Sequence, residues 1–110
     1  MNAFGPYIKP VTLDFEKNLR GEKIFLIHAA TGAGKTTILD AICFALYGTA
    51  SGDDRDGSMM RSKGILDNIK TEVEFTFALG DKIYKIFRNP GHKNPKGTAD
   101  IKKSATLYIN

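Results

Sequence analysis

Lys35 and Thr36 follow two glycines, Gly32 and Gly34, within the run Thr31-Gly-Ala-Gly-Lys-Thr-Thr37. That order of residue types suits the holding of a phosphate chain. A loop around several negative charges must present backbone N–H groups without side chains in the way. Gly32, Ala33 and Gly34 keep the backbone close to the ligand, the two glycines allowing the positive φ values that turn successive amides inward. A helix starting after Gly34 would add its exposed N–H groups and the positive end of its dipole. Lys35 would reach the outer phosphates as a point charge. The Thr36 hydroxyl would enter the shell of a magnesium ion shared with the phosphate oxygens, and Thr37 would contact an inner phosphate.

The match is to a relaxed pattern. The strict one has glycine six residues before the lysine, where this chain has Ala29. If that position needs a positive φ, alanine costs about 1 kcal/mol there and loosens the loop. The competing reading is a glycine-rich turn with no ligand.

Such a loop needs a strand before it and a helix behind it. Ile24-Phe25-Leu26-Ile27 is an unbroken apolar run, as expected for a central strand buried on both faces. Lys35 to Tyr47 is apolar nearly all round, which predicts a helix packed on most sides and stopped by a left-handed Gly48. Upstream, Val11, Leu13 and Phe15 alternate with Thr12 and Asp14, predicting a strand over 7–15 after the Gly5-Pro6 turn, then a polar turn around Gly21. Downstream, 49–63 has no periodicity and reads as a mobile surface loop, with Met59-Met60 anchoring its far end.

From Thr71 the period becomes two: Val73, Phe75, Phe77 and Leu79 point one way, Glu72, Glu74 and Thr76 the other. Gly80-Asp81 suits a glycine-first two-residue hairpin turn. Lys82 to Arg88 returns, 89–100 is a flexible connection with two prolines and two glycines, and Ala105, Leu107 and Ile109 mark a third strand. The expected class is α/β in one domain over 1–110. Residues 1–50 carry strands, phosphate loop and helix, 51–70 a loop, and 71–110 an antiparallel meander.

Composition agrees with one globular unit: 110 residues, 42% hydrophobic and 25% charged. The single cysteine, Cys43, excludes an internal disulfide and lies between Ile42 and Phe44, so a buried thiol is expected. The chain has no apolar run of 18 residues and no signal-like start, so the expectation is a cytoplasmic protein with no membrane partner. The net charge of +4 is uneven: residues 82–110 carry seven lysines and arginines against Asp100, a local +6. A basic end suits a polyanion, but the plainer reading is a solvated hairpin face that keeps the protein soluble.

Completing hydrolysis takes more than the loop, because an acidic residue at the end of another buried strand must serve magnesium and the attacking water. The nearest candidate, Asp81, falls in a hairpin turn, so no catalytic residue is assigned. His28 ends the buried strand and reads as packed; His92, in the Pro90-Gly91 loop, reads as solvated. They lie too far apart in sequence, with no nearby cysteine, to suggest zinc.

Taken together, Met1-Asn-Ala-Phe-Gly-Pro-Tyr7 and Thr31 through Gly48 resemble the amino-terminal head of the SbcC family. So do Ala50-Ser-Gly-Asp-Asp-Arg55, Met60-Arg-Ser62, Thr71 to Phe77 and Arg88-Asn-Pro90. These are the large ATPase subunits of a bacterial DNA exonuclease, related to the SMC-like ATPases of double-strand-break repair. The resemblance implies a P-loop NTPase fold, the amino-terminal part of an ABC ATPase head split by a long coiled coil. It implies ATP and Mg2+ as cofactors, with Gly32, Ala33, Gly34, Lys35, Thr36 and Thr37 on the phosphate-binding positions and Thr36 on the metal. It places residues 2–7 near the nucleotide's base side. The implied partners are the second head half, another SbcC-type protomer closing the dimer over ATP, an SbcD-type nuclease and double-stranded DNA. Family members usually carry Gly-Asp where this chain has Ala29-Ala30, usually begin a few residues earlier, and continue beyond Asn110 into the coil, so a fragment of a head is expected. The alternatives are a small independent P-loop kinase, a non-catalytic truncated remnant, and a nucleic-acid-binding module built on the meander through Tyr84, Phe87 and Tyr108.

Overall fold

The computed structural model describes residues 1–19, 21, 26, 34–49, 60–66, 69–93 and 100–110, with the backbone alone for Asn18 and Lys35. Among these, the elements are α1 (Phe15–Leu19), α2 (Lys35–Tyr47), β1 (Val73–Leu79), β2 (Lys82–Asn89) and β3 (Ser104–Ile109).

Helix α2 carries its buried residues at helical spacing: Thr37, Asp40 and Ala41, then Phe44 and Ala45. It stops where glycine permits. Gly48 adopts φ 82° and its N–H donates to the Phe44 carbonyl. The expected packing on most sides is only half met, since Leu39 and Tyr47 on the other face are 57% and 76% exposed. Cys43, expected buried, is half-buried on the same side.

The sheet is an antiparallel meander in the order β1-β2-β3. Leu79 pairs with Lys82 around Gly80-Asp81, and Gly80 takes φ 64°, as a glycine-first turn requires. Period-two patterning holds in β1, where Val73 is buried and Phe75 and Phe77 half-buried against exposed Glu74 and Thr76. Phe75, Phe77 and Tyr84 stack in a row at 5.4 and 5.2 Å between ring centroids. β3 is exposed along its length. The ends of the β2–β3 connection are tied rather than loose: His92 and Ile101 exchange two backbone hydrogen bonds of 2.9 Å, and His92 is half-buried, not solvated.

The core lies where α2 crosses the start of β1 and comprises Phe4, Ala41, Phe44, Ala45, Met60 and Val73, with Met1 and Phe75 at its margin. Phe4 and Phe44 pack at 5.8 Å, tilted by 32°. Met60 is indeed an anchor, 5% exposed. Residues 50–59 of the expected loop lie outside the described residues, and the segment after Met60 is partly packed, with Lys63, Gly64 and Leu66 exposed. Ser62 is buried, and the Arg61 guanidinium donates to Ile69 O at 2.6 Å, to Leu66 O at 3.1 Å and to Thr71 Oγ1 at 3.0 Å.

One expected strand needs correction. Residues 7–15 form no strand: Pro6 and Pro10 supply no N–H to a ladder, and Asp14 Oδ1 accepts the Lys17 N–H at 2.9 Å, which starts α1 instead. Within Ile24–Ile27, Leu26 is 85% exposed and not in a strand, and no described strand pairs with it. The rest of that run, His28 and the phosphate-loop residues before Gly34 lie outside the described residues. The N-terminal segment is held elsewhere. Asn2 and Glu72 exchange backbone bonds of 2.8 and 3.0 Å, and the Met1 ammonium donates to Val11 O at 3.0 Å. Burial lowers that ammonium's pKa, partly offset by the charges of Glu74 and Glu72.

Candidate functional site

The start of α2 is built on a left-handed residue. Gly34 occupies the N-cap at φ 99°, ψ 11°, and no side chain caps the helix. A glycine cap leaves the first N–H groups without the hydroxyl or carboxylate that usually satisfies one of them, so they point out with the positive end of the dipole. Lys35 and Thr36 form the first helical positions. Thr36 is exposed, so its hydroxyl is accessible to solvent; Thr37 is turned inward, 9% exposed.

Three residues from the other end of the sequence shape this turn. Tyr7 Oη donates to the Gly34 carbonyl at 3.2 Å. A Cβ on Gly34 would sit 2.8 Å from Tyr7 Oη and 2.9 Å from Pro6 Cγ, so glycine is required by space as well as by φ. Gly5 in turn lies against Thr37: a Cβ there would meet Thr37 Cγ2 at 2.8 Å. Gly5 is itself held on both sides, its N–H donating to Met60 O at 2.5 Å and its carbonyl accepting Ser62 Oγ at 2.6 Å.

The structure therefore brings together Gly34, Lys35, Thr36 and Thr37 at one helix end, while Gly32 and Ala33 lie outside the described residues. The family resemblance puts residues 2–7 near the nucleotide's base side but does not single out Gly5, Pro6 and Tyr7 as walls of the turn. Their Gly-Pro-aromatic composition signalled a bend but not where it would land. Asp81 is exposed in the hairpin turn, at the end of β1 away from the core. Among the described residues no group of three or more His, Cys, Asp or Glu could hold a metal. No described helix is long and apolar enough to cross a membrane.

Among the described residues the basic end runs along β2, with Lys93, Lys102 and Lys103 together at its far end. Arg88 is engaged by α2, donating from Nε to Ala45 O at 3.0 Å, and Lys85 lies 3.6 Å from Glu74 Oε1. Lys82 starts β2 while Lys102 and Lys103 adjoin its far end, roughly 23 Å apart at about 3.3 Å per residue.

A family described as AAA domain matches residues 1–110. The chain is 45% identical to the SbcC component of nuclease SbcCD from Vibrio cholerae, over 99% of this chain and 11% of that protein. It is 46% identical to the same-named protein of Lactococcus lactis, over 99% and 10%, and 41% identical to that of Staphylococcus haemolyticus, over 83% and 9%. The chain thus spans about a tenth of the length of the curated relatives it matches. No solved structure gives a significant match.

Proposed function

Because this chain belongs to the AAA domain family along its whole length, we propose that it forms the ATP-binding part of the ATPase subunit of a DNA exonuclease complex acting in DNA repair and recombination. The observation that carries this is the left-handed, uncapped Gly34 placing Lys35 and Thr36 on the first turn of α2. Amide donors and the positive end of the helix dipole would then face one anion, and Lys35 would add its charge. Similarity to the SbcC components of SbcCD nucleases supplies the exonuclease context.

In this reading Gly32, Ala33 and Gly34 wrap the phosphates, Lys35 neutralises the outer ones, Thr36 holds Mg2+ and Thr37 braces the loop from inside. The accessible Thr36 hydroxyl fits a hard, oxygen-seeking cation that keeps most of its shell from water and phosphate. Magnesium bound there neutralises phosphate charge. The residues of this chain bind and orient the nucleotide; the carboxylate for water attack comes from a second head half. Another SbcC-type protomer, an SbcD-type nuclease and double-stranded DNA are the partners, in the cytoplasm.

The test is a nucleotide titration with and without magnesium. Wild type should bind ATP more tightly with Mg2+, and Thr36→Ala should remove that difference while folding normally. A wild type indifferent to nucleotide contradicts the proposal.

A further inference from the structure

We propose that Tyr7 is a positioning residue for the phosphate loop, its hydroxyl and the adjoining Pro6 locking the Gly34–Lys35 peptide in the orientation that presents an amide to phosphate. This rests on the nucleotide-binding reading above. It goes beyond it by assigning the orientation of the loop's last peptide to a residue 27 positions away.

Gly34 C=O and Lys35 N–H belong to the same planar trans peptide and point in opposite directions. Tyr7 Oη donates to the Gly34 carbonyl at 3.2 Å, so holding the oxygen aims the Lys35 N–H the other way, out of the helix end. The ring does the steric half of the work, since Tyr7 Oη and Cζ and Pro6 Cγ stand within 2.9 Å of where a Gly34 Cβ would be.

Tyr7 is itself fixed. It exchanges backbone hydrogen bonds of 3.0 and 3.1 Å with Phe4, which is fully buried against Phe44 of the same helix. Residues 4–7 therefore run alongside α2 as a splint: Phe4 at Phe44, Gly5 at Thr37, Tyr7 at Gly34.

The experiment compares wild type with Tyr7→Phe, which keeps the ring and deletes the donor, using Mg-ATP and inorganic tripolyphosphate as probes. One hydrogen bond contributes about 1 kcal/mol, so affinity for both should fall about fivefold. Amide exchange should accelerate at Ile38, the first helical N–H to donate back to the N-cap carbonyl, and the thermal midpoint should fall by only a few degrees. Pro6→Ala should move the same readouts in the same direction. Unchanged tripolyphosphate affinity with unchanged exchange overturns the proposal, and so does a loss confined to ATP, which would assign Tyr7 to the base. If wild type binds neither probe, the nucleotide reading fails, and the exchange rates still decide whether Tyr7 holds the peptide.

Discussion

Arg88 on β2 donates from Nε to the carbonyl of Ala45 on α2 at 3.0 Å, across 43 residues of sequence. The last turn of α2 contains no basic residue of its own. The sheet thus supplies both a donor for a late helical carbonyl and a cation for the negative end of the dipole. The same helix presents its positive end at Gly34, so the meander and the candidate phosphate site are joined through one rigid rod.

Arg88→Ala should destabilise the fold by about 1–2 kcal/mol, the sum of a charged hydrogen bond and a dipole contact. Arg88→Lys should recover part of this, since an ammonium keeps the charge but not the guanidinium geometry. Chemical denaturation measures both. No change for Arg88→Ala would mean that water caps the helix as well as the arginine does.

Gly5 and Thr37 form a second coupled pair. Gly5 takes φ 54° with Thr37 Cγ2 2.8 Å from its absent Cβ. Gly5→Ala should cost about 1–2 kcal/mol for the left-handed backbone plus a further steric cost of about 1 kcal/mol. Adding Thr37→Ser deletes the offending methyl and should return the steric share alone. A double-mutant cycle separates the two, and strict additivity would deny the contact.

Gly80 supplies the uncrowded control. Its φ is 64° and nothing lies within 4 Å of an added Cβ. Gly80→Ala should therefore cost only the backbone term, about 1 kcal/mol, read as a lower thermal midpoint with the nucleotide affinity unaltered.

The parts legible in the sequence are those fixed by local pattern. The α2 stripe repeats at helical spacing up to Gly48, and the Val73–Leu79 alternation closes through Gly80-Asp81 onto β2 as expected. The start of α2 after Gly34 was also readable, because a glycine can take the left-handed turn that precedes the apolar helix. What failed was alternation without ladder partners: Val11, Leu13 and Phe15 mimic a strand, but Pro10 and the Asp14 cap rule it out. The Ile24–Ile27 expectation meets the structure only at Leu26, which is exposed, the other three residues lying outside the described ones. The contacts of Tyr7 with Gly34 and Arg88 with Ala45 were invisible because nothing local encodes a partner 27 or 43 residues away.

The central claim is that the Gly34–Thr37 turn binds a triphosphate through Lys35. Its most direct test is calorimetric titration of Mg-ATP into the wild-type chain and into Lys35→Ala. Saturable binding by wild type and its loss in the variant are the predicted result, with both proteins equally folded by circular dichroism. Equal affinity in the two, at equal folding, would contradict it.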